Sequence, residues 1–168
     1  METFSVRPVR TEEDCRELAA LAKEIWEQHF TPIIGEAQVA YMLERFQSYP
    51  ALKKAVEEEG YHYWFLCRDG QIVGYTGVHP ENGALFLSKL YLRQSERGKG
   101  LARQVFSFLC EFARQEGCGK IWLTCNRNNL NSYQIYLHLG FSVVREQDAQ
   151  IGNGFVMNDY VMEYPIDR

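Results

Sequence analysis

Lys89-Leu90-Tyr91-Leu92, followed four residues later by Arg97-Gly98-Lys99-Gly100-Leu101-Ala102, is the stretch on which the reading of the fold turns. A β-prone run ends, a loop with two glycines turns, and an apolar face with helical spacing begins at once. Free backbone N–H groups at such a helix start, reinforced by the helix dipole, form an anion site suited to a pyrophosphate. Gly98 and Gly100 lack a Cβ, which permits positive φ and lets a phosphate come close to the backbone. Arg97 and Lys99 add positive charge beside it. A Gly-x-Gly also serves as a plain tight β-to-α turn, so the loop alone does not specify a ligand. Two other phosphate loops do not fit. A P-loop requires Gly-Lys-Ser/Thr, and here Leu101 follows Gly100. A dinucleotide fingerprint requires a third glycine where Arg103 stands and an acidic residue at the end of the next strand, which here ends in Cys125-Asn126.

Working outward, the preceding segments read as an antiparallel meander: Tyr63–Arg68, Gln71–His79 and Ala84–Leu92, joined at Asp69-Gly70 and Glu81-Asn82-Gly83. Before them, Phe4–Val9 is β-prone and Thr11-Glu12-Glu13-Asp14 reads as an N-cap with acidic residues in the first turn. Leu18, Leu21, Ala22, Ile25, Trp26 and His29 then define an amphipathic helix predicted to end near Phe30, broken by Thr31-Pro32. Val39, Met42, Leu43 and Phe46 mark a second helix, and Pro50 opens a short further one ending at Gly60. Downstream, Leu101, Val105, Phe108, Leu109 and Phe112 form a helix face that Gly117 terminates. Ile121–Cys125 is a strand, Ser132–Leu139 a helix, and Phe141–Arg145 and Phe155–Glu163 the last two strands. The order reads β-α-α-β-β-β-α-β-α-β-β, an α/β fold with a mixed central sheet of about seven strands flanked by helices on both faces.

A length of 168 residues suits one domain spanning 1–168, and 46% hydrophobic with 14% aromatic residues suits a packed core. No apolar run reaches membrane-spanning length, and the first ten residues lack a secretory apolar region. Five cysteines, an odd number without a C-x-x-C pair, read as reduced thiols of a cytoplasmic protein. His29 and His138 lack metal-ligand spacing, so no metal is expected. The formal charge of −4 speaks against a nucleic-acid partner.

Arg97, Gly100 and Ala102 match in register the pattern Gln/Arg-x-x-Gly-x-Gly/Ala, and the chain resembles the GNAT family of N-acetyltransferases from roughly Trp64 to Glu163. A second match agrees: Asn129-x-x-Ser132-x-x-x-Tyr136-x-x-x-Gly140-Phe141 is similar to the family's Asn-x-x-Ala-x-x-x-Tyr-x-x-x-Gly-Phe, with Ser in place of Ala. The resemblance implies a fourth strand that splays from the fifth so that pantetheine lies between them. The main chain around Leu90, Tyr91 and Leu92 would bond that arm. The main chain through Gly98, Lys99, Gly100, Leu101 and Ala102 would hold the pyrophosphate, Asn129 would contact the coenzyme, and Tyr136 would protonate the leaving thiolate. On residue pattern alone, Tyr136 reads as a core aromatic, since it shares a helix face with Tyr133, Leu137 and Gly140. The tail from Asp148 to Tyr160 looks like bacterial acetyltransferases of the PaiA polyamine type, although Gly152-Asn153-Gly154 also suits an ordinary hairpin.

The implied reaction is direct transfer of the acetyl group of acetyl-CoA, as co-substrate, to the primary amine of a small molecule such as a polyamine. The strand amide near Leu92 would stabilise the developing oxyanion. Many relatives carry a glutamate on the fourth strand as base; Ala84–Leu92 has no carboxylate, which leaves that role unassigned among Ser88, His79 and Asp159. Glu36, Glu44, Asp148 and Asp159 are candidates for charge toward a cationic acceptor, or are simply solvated. A non-catalytic acyl-CoA sensor, a protein N-terminal acetyltransferase and a nucleotide-binding module are the alternatives. Homodimerisation is expected by analogy only.

Overall fold

The computed structural model describes residues 3–166 and contains seven strands, five α-helices and one 3₁₀ turn. The chain forms β1 (Phe4–Pro8), α1 (Glu12–Ile34), α2 (Glu36–Phe46), α3 (Tyr49–Glu58), β2 (His62–Arg68), β3 (Gln71–Glu81) and β4 (Ala84–Leu92). The 3₁₀ turn Gln94–Glu96 leads to α4 (Leu101–Gln115), β5 (Lys120–Asn126), α5 (Leu130–Leu139), β6 (Ser142–Gly152) and β7 (Phe155–Pro165). The strands hydrogen-bond in the order β1-β2-β3-β4-β5-β7-β6. The β4–β5 pair is parallel, joined by the α4 crossover, and the β1–β2, β2–β3, β5–β7 and β6–β7 pairs are antiparallel.

Two compact units divide the chain: residues up to His79 with Lys89–Leu101, and Pro80–Ser88 with residues from Ala102 onward. In the first, α1 begins with a reciprocal cap in which Thr11 Oγ1 accepts from Asp14 N–H and Asp14 Oδ2 accepts from Thr11 N–H. Its buried face carries Leu18, Ala22, Ile25 and Trp26, and Phe65, Leu66 and Tyr75 of β2 and β3 are fully enclosed. A polar thread crosses this core. Trp26 Nε1 donates to the Tyr75 hydroxyl at 2.7 Å, and that hydroxyl donates to Gln47 Oε1 at 2.8 Å. In the second unit, Leu85, Val105, Leu109, Ile121, Leu123 and Met162 form the core.

Several local expectations need correction. Pro32 does not end α1: the helix continues to Ile34, and Gly35 closes its last turn by donating to Thr31 O at 3.0 Å. Burial of Phe30 and a closed final turn outweigh the local preference of a pre-proline residue for extended backbone. Three helices rather than two separate β1 from β2, the third being the short one opened at Pro50. The buried stripe of α4 is Leu101, Val105, Phe106, Leu109, Cys110 and Ala113, leaving Phe108 and Phe112 half-buried. β6 is eleven residues long, extended beyond Arg145 by a hairpin at Asn153-Gly154 that pairs it with β7 as far as Gly152↔Phe155.

Candidate active site

Within the first unit, the second half of β4 is tied to β3 along one edge. Thr76 Oγ1 donates to the Lys89 carbonyl at 2.6 Å, and Arg93 N–H donates to the Val73 carbonyl at 2.8 Å. The Tyr91 carbonyl oxygen lies against Gly74. Carbonyl and N–H of a trans peptide point in opposite directions, and the chain contains no cis bond. The N–H groups of Leu90 and Leu92 are therefore turned away from β3, as is the Leu92 carbonyl, whose plane includes the Arg93 N–H. That outward edge of alternating donors and an acceptor is what a ligand amide chain, such as pantetheine, can pair with. β4 pairs with β5 over Ala84–Phe86 against Lys120–Trp122, while β4 runs on to Leu92 and β5 to Asn126.

The loop that follows has the backbone an anion site requires. Gly98 and Gly100 adopt φ of +76° and +78°, and the space where a Cβ would stand is open at both. Leu101 begins α4 and is buried, fixing the first turn, and Ala102 follows half-buried. The charges flanking the loop are already engaged. The Arg97 guanidinium reaches the Leu92 carbonyl at 3.4 Å and His29 Nδ1 at 3.3 Å, and burial lowers its pKa from the ordinary value. Lys99 Nζ lies 3.5 Å from Glu96. Glu96 in turn receives a two-pronged bond from Arg68, Nε at 2.8 Å and Nη2 at 2.9 Å. Burial works to raise the Glu96 carboxyl pKa, but hydrogen bonds and charge from Arg68 and Lys99 outweigh it and hold the pKa below its usual value. Arg68 thus fastens the approach to the glycine loop onto β2.

Within the second unit, Asn129 is buried at the N-cap of α5, where its Oδ1 accepts from Ser132 N–H at 3.4 Å. Tyr136 lies two turns further on. Its ring meets Phe141 edge-on at 5.7 Å, and Phe141 packs on Phe106 and Tyr164, at 5.4 and 5.7 Å. The Gly140-Phe141 pair of the motif therefore anchors the end of the helix that carries Tyr136. Tyr136 is half-buried, and its burial, with the neighbouring Cys125 second, raises its pKa above that of an ordinary tyrosine. Cys125 is itself buried, and its thiol is pushed up to about 12 by burial and by the charge of Asp159. It is protonated at neutral pH and unsuited to act as a nucleophile.

Other candidates separate. Asp159 is 2% exposed, set between Asn126 and Gln147 in the ladder, so it is not a solvated surface carboxylate. Glu36 and Glu44 are exposed on α2, and Asp148 pairs with Arg127. Tyr63, Trp64 and Phe65 are buried, as a strand entering a core requires. Gly74 and the Arg68–Glu96 pair escaped the sequence reading. For Gly74 a signal existed, since a glycine within a strand pattern marks a bulge or a close backbone approach. Nothing local links Arg68 to Glu96, 28 residues apart.

The profile of the acetyltransferase (GNAT) family matches residues 18–141. The chain belongs to the acetyltransferase (GNAT) family. Its activity is that of an acetyl-CoA-dependent N-acetyltransferase. It is 24% identical over 151 residues to an uncharacterized N-acetyltransferase in the pepI 3′ region of Lactobacillus delbrueckii subsp. lactis, covering 85% of this chain and 87% of the relative. It is 28% identical over 92 residues to the spermine/spermidine N(1)-acetyltransferase of Bacillus subtilis, covering 49% of this chain and 60% of the other. Its fold is shared with the PaiA N-acetyltransferase of Thermoplasma acidophilum, solved in complex with coenzyme A. The TM-score is 0.78 at 17% identity over 97% of this chain and 99% of that one.

Proposed function

We propose that this GNAT enzyme acetylates the primary amine of a small molecule, a polyamine being the first acceptor to test. The main-chain edge at Leu90–Leu92 and the loop Gly98–Ala102 would hold acetyl-CoA, and Tyr136 would act as general acid. The observation that carries the reading is the outward-facing edge of β4 running into a loop whose two glycines have positive φ with open space beside them. Bound acetyl-CoA supplies an acetyl group activated as a thioester. The free amine attacks the thioester carbonyl, the carbon–nitrogen bond forms as the carbon–sulfur bond breaks, and the proton lost by nitrogen passes to solvent. The Leu92 N–H donates toward the thioester oxygen as it gains charge, and the α4 amides neutralise the pyrophosphate. Asn129 contacts the coenzyme from the start of α5, and Tyr136 gives its phenolic proton to the departing sulfur. A phenol whose pKa is raised is fully protonated at neutral pH, the form a general acid needs. The polyamine reading is supported by the likeness to the spermine/spermidine N(1)-acetyltransferase of Bacillus subtilis.

The test is thiol release from acetyl-CoA across spermidine, diamines, amino acids, aminoglycosides and short peptides. Turnover concentrated in polyamines and diamines upholds the acceptor assignment. Turnover confined to peptide N-termini replaces it with protein N-terminal acetylation.

A further inference from the structure

A glycine inside a strand weakens it unless the missing side chain leaves room for something. At Gly74 that something is backbone: an added Cβ would stand 2.2 Å from the Tyr91 carbonyl oxygen and 3.0 Å from Leu92 Cα. Neither can be moved like the tip of a flexible side chain. The contacts on either side are also fixed, Val73 accepting from Arg93 N–H and the fully buried Thr76 donating to Lys89. Three points thus hold 89–93 on β3, and the middle one requires the absence of a side chain.

We propose that Gly74, with Thr76 beside it, is the positioning residue for the Leu92 amide. The Tyr91 carbonyl and the Leu92 N–H belong to one rigid plane. Seating the carbonyl on Gly74 fixes where the N–H is aimed, and a side chain at 74 swings both together. Gly74 touches no substrate and acts only through that plane. The inference rests on the reading of Leu92 as the donor to the thioester oxygen. Gly77, three residues along the strand, is glycine for another reason: its Cβ would meet the Tyr63 ring at 2.4 Å.

The experiment is infrared difference spectroscopy of bound [1-¹³C]acetyl-CoA on wild type, Gly74→Ala, Thr76→Val and Gly77→Ala, with coenzyme A thermal shifts and steady-state kinetics alongside. The thioester carbonyl stretch is expected to fall on binding to wild type and Gly77→Ala and to stay near its solution position in Gly74→Ala. That variant still gains stability from coenzyme A, while its kcat drops about 10²-fold, the cost of losing one oxyanion donor. Thr76→Val is expected to lie between, and it carries the test if Gly74→Ala does not fold. A full carbonyl shift retained in Gly74→Ala, or in Thr76→Val where that alone folds, overturns the positioning role and leaves Leu92 assigned. No shift in wild type overturns the Leu92 reading and the inference with it.

Discussion

Tyr136 illustrates how one side chain acquires its chemistry from its surroundings. An exposed phenol titrates near pH 10, and here burial raises that value, so Tyr136 carries its proton throughout the neutral range. The phenol can hydrogen-bond the sulfur as negative charge builds on it during cleavage of the carbon–sulfur bond. Tyr136→Phe is therefore expected to lower kcat by about 10²-fold, leaving the coenzyme A thermal shift intact. Thiol release and melting curves together check this. Because the folded-state pKa is raised, the kcat profile of the wild type should show no alkaline limb from Tyr136 below about pH 10. Ionisation in the unfolded chain would instead cost stability above that pH. Gly100 carries a different constraint. Alanine at its φ of +78° is strained by about 1–2 kcal/mol, so Gly100→Ala should raise the coenzyme A dissociation constant by roughly tenfold, measured by titration calorimetry.

At the scale of elements, the chain keeps two features that local rules disfavour. Pro32 sits inside α1 and cannot donate to the carbonyl four residues back. Pro32→Ala should stabilise the protein by about 2 kcal/mol, the helix penalty less the entropy that proline removes from the unfolded chain. Denaturant unfolding would read it. The 3₁₀ turn before the glycine loop is anchored through Glu96 to Arg68. The Glu96 pKa is depressed, so its contribution is present above the unfolded value and is lost as pH falls through the folded one. Glu96→Gln should accordingly melt below wild type at pH 7, with the gap closing as pH drops below about 4. The same variant should bind coenzyme A more weakly at neutral pH, since the loop loses its anchor.

On the scale of the whole molecule, each unit has its own core, and the first is threaded by Trp26, Tyr75 and Gln47. Tyr75→Phe removes both hydrogen bonds at once and leaves an indole N–H and an amide oxygen buried without partners. It should cost about 2–4 kcal/mol in denaturant unfolding. Coenzyme A at a hundred times its dissociation constant should return about 2.7 kcal/mol to any variant that retains the site. Strand and helix identities were legible because alternation, helical spacing and the turns Asp69-Gly70, Asn82-Gly83 and Asn153-Gly154 are properties of short segments. The two motif runs, Arg97–Ala102 and Asn129–Phe141, were legible for the same reason: a loop and a capped helix are each written in consecutive residues. The Pro32 crossing was not, because the buried contacts of Phe30 that outweigh the proline penalty come from elsewhere in the chain. By itself, then, the sequence determined the family and the order of nearly all the elements. Only the tertiary structure decided that the Tyr91 carbonyl lies against Gly74, that Arg68 anchors the loop, and that Tyr136 is buried enough to raise its pKa. Each of these depends on which distant backbone or side chain arrives alongside, and on how much water it leaves.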